Sequence, residues 1–69
     1  MHGQRIASGT PVKFTFRGAV MTGTVVDAIT FNGKVRHGVR VDGPTDIDPT
    51  GCPGGRVYDV WPAMNIRPL

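Results

Sequence analysis

Residues 24–42 have the sequence TVVDAITFNGKVRHGVRVD, which places runs of β-branched residues on both sides of Asn32-Gly33. Both central positions of a type I′ turn require a positive φ, and Asn-Gly adopts that conformation at little cost. The dipeptide therefore predicts a β-hairpin in which residues 24–31 pair with residues 34–42.

The second strand of this hairpin alternates between two kinds of side chain. Its apolar positions share one face with a histidine that we expect to be partly buried: Val35, His37, Val39 and Val41. Its cationic positions share the opposite face: Lys34, Arg36 and Arg40. The alternation predicts that the cationic face points away from the core.

The first strand of the hairpin is less regular. A two-residue turn places Val26 opposite Val39, but three apolar residues then fall on the cationic face: Val25, Ile29 and Phe31. A bulge near Gly23 or Asp27 would restore the alternation, because one extra residue shifts the following side chains to the other face. A second buried surface is the alternative.

The rest of the chain supplies three more short strands. They are predicted at residues 12–17, 56–61 and 65–69. In the first of them Lys13 and Arg17 face outward, opposite an apolar face. Residues 62–64 begin with Pro62 and predict one 3₁₀ turn before the last strand. Residues 43–55 hold four Gly and three Pro, which predicts a long loop.

The composition agrees with an all-β chain. Among 69 residues there are 20 Val, Ile and Thr, one Leu and no Glu, whereas helices are rich in Leu and Glu. The length excludes a helical bundle of this composition and any large enzyme with its own cofactor domain. We expect a flexible N-terminal arm at residues 1–11 and a single domain at residues 12–69. Small domains often oligomerise, so a homo-oligomer is also expected.

Five strands with one 3₁₀ turn before the last resemble the small Src-homology-3-like barrel. Within that class, Val12, Gly18 and the run Gly23-Thr24-Val25-Val26 resemble the start of KOW and Tudor modules. The resemblance implies a single five-stranded barrel over residues 10–69. We favour a non-enzymatic binding module as the function.

Charge indicates what such a module would bind. The chain has a formal net charge of +3 and a pI near 9.8. Five of its eight Lys and Arg residues fall on predicted outward positions: Lys13, Arg17, Lys34, Arg36 and Arg40. A basic face attracts nucleic acid or an acidic protein, and nucleic acid is favoured because phosphates bind Lys and Arg without sequence preference. Tyr58 and Trp61 are the candidate stacking platforms for bases.

A second resemblance concerns residues 57–66, VYDVWPAMNI. They are similar to the Val-Gln-Ile-Tyr-Pro segment of the plasmid-borne type II dihydrofolate reductases, small barrels in which four copies form a pore for folate and NADPH. Asp59 stands where that family has its glutamine, and Lys13 or Arg17 takes the place of its substrate-attracting lysine. The resemblance implies an NADPH-dependent enzyme, which is one alternative to the binding module. The other alternative is a structural homo-oligomer that self-associates through Val25, Ile29 and Phe31.

Other chemistry has less support in the sequence. Residues 46–51, DIDPTG, match the start of a calcium loop, but Val57 stands where that loop requires a bidentate Glu. His2, His37 and Cys52 do not have zinc-ligand spacing. The sequence therefore predicts no metal and no cofactor. A single cysteine indicates a reducing, cytoplasmic location, and no apolar run approaches the roughly 18 residues of a membrane span.

Overall fold

The computed structural model of the chain describes residues 5–45, 49–51 and 53–69. Within these residues it contains five strands and one 3₁₀ turn: β1 Pro11–Phe16, β2 Ala19–Phe31, β3 Lys34–Val41, β4 Arg56–Val60, η1 Pro62–Met64 and β5 Arg67–Pro68. All strand pairs are antiparallel. The prediction of an all-β chain with a 3₁₀ turn before its last strand is confirmed.

The strands form one sheet in the order β4-β3-β2-β1-β5. The thirteen-residue β2 is its central strand, since its first half pairs with β1 and its second half with β3. In the described part of the chain β4 and β5 are the two edges, and they are not paired with each other. The sheet is therefore open, and the closed barrel stays a prediction.

Two tight turns connect the first three strands. Asn32 and Gly33 have φ values of 51° and 77°, as the predicted type I′ turn requires. Arg17 and Gly18 form a second two-residue turn, with φ values of 51° and 81°. Arg17 was expected in the first strand, but β1 ends at Phe16. Its left-handed backbone removes Arg17 from the strand alternation.

A bulge divides β2 at Val26. The predicted register holds from Phe31 at the turn to Asp27, and it then shifts so that Val25 lies opposite Val39. Val25 is 1% exposed, whereas Val26 is 40% exposed. The expected pairing of Val26 with Val39 is therefore wrong. The extra residue at the bulge turns Val25 toward the core. Of the two alternatives from the sequence, a bulge or a second buried surface, the bulge is the one present.

The core is formed by alternate residues of four strands: Val12, Phe14, Met21, Val25, Val39, Val41 and Val60. Val35 and His37 are also buried, which confirms the inward face of β3. Burying such apolar side chains supplies most of the driving force for folding, at about 25 cal/mol per Å² of apolar surface. The opposite side of each strand is left for contacts with solvent or a partner.

Residues 5–10 lie against β2 and β3. The backbone N–H of Ile6 donates to Nε2 of His37 at 2.9 Å, and the N–H of Gly9 donates to the carbonyl of Val25 at 2.7 Å. The guanidinium of Arg5 donates to the carbonyl of Ala28 at 3.1 Å. Residues 1–4 of the predicted arm lie outside the described residues, and the boundary between arm and domain stays a prediction.

β3 ends at Val41 and β4 begins at Arg56, so the predicted loop of residues 43–55 falls between these two strands. The first three residues of the calcium-loop fragment, 46–48, lie outside the described part of the chain, as do Cys52 and His2. No helix among the described residues is long and apolar enough to cross a membrane.

Candidate nucleic-acid interface

Strand register places three cations on the same face of the sheet. Lys13 on β1 lies opposite Thr22 of β2 on one side and opposite Arg67 of β5 on the other. Arg40 on β3 lies opposite Thr24 of β2. Thr22 and Thr24 are two positions apart on one strand, so their side chains leave the sheet on the same side. Lys13, Arg67 and Arg40 therefore share the face turned away from the core.

Lys13 and Arg67 carry charges that no described carboxylate balances. Both are exposed, and neither forms an ion pair within the described residues. Like charges directly opposite each other on neighbouring strands destabilise a sheet. A hollow of about 270 Å³ beside them is also lined by Thr15, Val20 and Asn65. Two cations, a hydroxyl and an amide next to an open hollow form a surface that favours an anion.

Arg67 was not among the residues predicted from the sequence. Residues 65–69 are too short to show an alternation, and the pairing of β5 with β1 joins residues more than fifty positions apart. The sequence shows that Arg67 is basic, but it does not show that Lys13 lies opposite Arg67 in the sheet.

Arg17 lies at the turn that follows β1. Its guanidinium carbon is 5.3 Å from the centroid of the Phe16 ring. A cation over a ring face is held in place without losing its charge. Arg17 is exposed and forms no ion pair with a described residue, so its charge is also available to an anion.

The cations of β3 have a different environment. Arg36 forms an ion pair with Asp59 of β4, with Nε donating to Oδ1 at 3.2 Å and a second nitrogen donating to Oδ2. This hydrogen-bonded carboxylate raises the pKa of Arg36 further above its ordinary value. Arg40 lies 3.4 Å from a carboxylate oxygen of Asp42. Lys34, at the turn end of β3, is exposed and lies opposite Phe31.

The two aromatic residues predicted to stack on bases have unlike positions. Tyr58 packs against the core, with its ring centroid 6.1 Å from that of Phe14 and 5.2 Å from that of Phe16. Trp61 follows β4, and the guanidinium of Arg36 lies 4.3 Å from its ring centroid. The side chain of Tyr58 is thus used for packing, whereas Trp61 lies at the outer face.

His37 is a buried structural residue. Because its Nε2 accepts the N–H of Ile6, that nitrogen carries no proton, and the proton is assigned to Nδ1. Nδ1 has no hydrogen-bond partner among the described residues. Burial lowers the pKa of His37, and the nearby charge of Arg5 lowers it further. The neutral form is the one that fits the fold.

The described residues contain no group of three His, Cys, Asp or Glu side chains placed to hold a metal ion. Asp59, which stands at the glutamine position of the reductase resemblance, is bound to Arg36. Its carboxylate accepts hydrogen bonds but cannot donate them as an amide does.

No family model matches the chain, and neither a curated protein nor a solved structure matches it. The resemblances to Src-homology-3-like modules and to type II dihydrofolate reductases therefore stay predictions. A functional conclusion depends on the residues and geometry of the chain itself.

Proposed function

We propose that the protein is a small non-enzymatic binding module that contacts the phosphates of nucleic acid. The contacts are assigned to a surface that we name the β1–β5 face, formed by Lys13, Arg17 and Arg67. The observation that supports this most directly is the pairing of Lys13 with Arg67, two exposed cations in opposite register without a described carboxylate partner. Arg40 on the same side of the sheet is balanced by Asp42 and contributes less.

The expected binding is weak, independent of sequence and sensitive to salt. Each phosphate that a Lys or Arg neutralises releases condensed counterions, so affinity falls as salt rises. Three contacts give a slope of log K against log salt of about −2 for single strands and about −2.7 for a duplex. A module of this kind works by positioning or by adding affinity, because phosphate contacts carry no sequence information.

The proposal includes the Src-homology-3-like barrel and a cytoplasmic location. In support of the barrel, the two edge strands β4 and β5 are joined by a short connection through η1, and β2 carries a bulge that bends it. Closure of the sheet would pair these edges. The support for a cytoplasmic location is the single cysteine of the sequence.

Fluorescence anisotropy with a labelled mixed-sequence oligonucleotide tests the proposal. At about 20 mM salt the protein should bind both DNA and RNA, and at about 200 mM most of the affinity should be lost. Undetectable binding at low salt, or binding that does not respond to salt, would remove the nucleic-acid function. An acidic protein would then be the remaining candidate partner of the basic face.

Self-association is a second candidate function, favoured by the exposure of apolar side chains. Ile29 is 53% and Phe31 52% exposed on the outer side of the β2–β3 hairpin. Val25, which the sequence placed on this surface, is buried in the core instead. A mass in solution that rises with concentration would support this function. A tetramer that also binds NADPH would support the reductase resemblance.

A further inference from the structure

A hollow of about 540 Å³ lies between the β2–β3 turn and η1. Six residues line it: Asn32, Gly33, Lys34, Trp61, Pro62 and Ala63. Its volume is within the range of about 300 to 1,000 Å³ that is usual for small-ligand sites. It has one cation, Lys34, and no carboxylate in its lining.

The indole of Trp61 is held in a fixed position beside this hollow. Arg36 covers one part of the ring at 4.3 Å, and Asp59 holds the guanidinium of Arg36 with two hydrogen bonds. Trp61 lines the hollow and Arg36 does not. A ring fixed in this way presents a flat apolar surface without losing side-chain freedom when a ligand binds.

The chemistry of the lining selects a planar ligand that carries a negative charge. Trp61 offers a surface for stacking, Pro62 and Ala63 offer apolar contacts, and the amide of Asn32 offers a donor and an acceptor for a polar edge. Lys34 at the rim offers a cation for a phosphate. Tyr58 has no such role, because its ring packs against Phe14 and Phe16.

We propose that this hollow binds an unpaired nucleobase, stacked on Trp61 with its phosphate at Lys34. The inference rests on the nucleic-acid binding proposed above and names its substrate class as single-stranded nucleic acid. A base inside a duplex is already stacked on both faces and cannot enter the hollow. Stacking of one base on an aromatic side chain should make a single strand bind about tenfold more tightly than the duplex.

Intrinsic fluorescence measures occupancy of the hollow directly, because Trp61 is the one tryptophan of the sequence. The probes are adenosine 5′-monophosphate, a twelve-nucleotide single strand, the corresponding duplex, and tripolyphosphate, which has charge but no base. The monophosphate and the single strand should quench the fluorescence of Trp61. Tripolyphosphate should leave it unchanged, and the duplex should quench it weakly or not at all.

Two variants separate stacking from folding. Trp61→Leu should lower the affinity for the single strand about tenfold, to that of the duplex, while the salt dependence stays the same. Trp61→Phe keeps an aromatic face and should retain most of the affinity. Circular dichroism and the denaturation midpoint of both variants show whether the fold is intact. If Trp61→Leu is unfolded, the Trp61→Phe variant and the probe series on the natural chain still decide the question.

The outcomes distinguish the two proposals. Salt-dependent binding of the single strand without any change in Trp61 fluorescence would overturn the base site and leave the binding module in place. Quenching by adenosine monophosphate without oligonucleotide binding would keep the base site and remove the nucleic-acid function. No quenching and no binding would overturn both.

Discussion

The two halves of the sheet differ in how they balance charge. In the half formed by β1, β5 and the start of β2, Lys13 and Arg67 face each other with no described carboxylate between them. In the half formed by β3 and β4, Arg36 is bound to Asp59 and Arg40 lies beside Asp42, and Lys34 at the turn end is the one β3 cation that forms no ion pair with a described residue. The alternation of a strand predicts which face a cation occupies, but only the register shows whether an anion balances it.

The bulge at Val26 shifts the register between β2 and β3, and it gives the largest expected effect. Val25→Ala removes two methyl groups from a fully buried position, so the free energy of unfolding should fall by about 2 to 3 kcal/mol. Val26→Ala changes the adjacent exposed position and should cost less than about 0.5 kcal/mol. Urea denaturation measures both. Equal losses would contradict the bulge, which makes Val25 a core residue and Val26 an exposed one.

Removal of the unbalanced charges should produce the next largest effect. Lys13→Gln combined with Arg67→Gln removes two phosphate contacts, so affinity for single-stranded DNA should fall about tenfold at low salt. The exchange Lys13→Arg with Arg67→Lys keeps both charges and serves as the control. Anisotropy titrations compare the three proteins. Unchanged affinity in the double Gln variant would place the binding surface elsewhere.

Removal of the Asp59 carboxylate should leave Arg36 without an ion-pair partner among the described residues, as Lys13 and Arg67 are in the other half of the sheet. Asp59→Asn releases Arg36 from its ion pair and raises the formal net charge by one, so affinity for duplex DNA, whose bases do not enter the hollow beside Trp61, should rise two- to threefold, as expected for about one added weak phosphate contact. The same titration detects this change. A loss of affinity for the duplex on Asp59→Asn would contradict the assignment of duplex binding to unbalanced cations.

The smallest expected effect is the response of the β3 half to pH. The lowered pKa of His37 means that the unfolded chain binds more protons than the folded chain in the window below 6.5. The free energy of unfolding should therefore be highest above pH 6.5 and decrease as the pH falls through that window. Urea denaturation across this range measures the decrease. His37→Gln can accept the Ile6 hydrogen bond without titrating, and its profile should be flatter.

Local signals in the sequence predicted most of the secondary structure. Asn32-Gly33 identified the hairpin, the alternation of β3 identified its buried face including His37, and Pro62 began the 3₁₀ turn over the expected residues. These features depend on neighbouring residues, so they can be found without knowing how the strands are arranged. The bulge was one of two open alternatives, because the alternation of β2 required a correction without fixing its position.

The features that depend on distant pairing could not be found in this way. Arg67 becomes part of the candidate site only because β5 pairs with β1 and places it opposite Lys13. The ion pair of Arg36 with Asp59 likewise depends on the register of β4 against β3. Arg17 left its strand because a two-residue turn forms one position earlier than the alternation suggested. For the candidate site, sequence reasoning thus found Lys13 and Arg17 but not Arg67, and it did not show which cations remain unbalanced.

The salt dependence of two single variants tests the central difference most directly. Lys13→Gln and Arg40→Gln each remove one cation from the same face of the sheet, on opposite sides of β2. Lys13→Gln should reduce the slope of log K against log salt for single-stranded DNA by about 0.7, the value for one lost phosphate contact. Arg40→Gln should reduce it by less than half as much. Equal reductions, or a larger one for Arg40→Gln, would contradict the assignment of binding to the β1–β5 face.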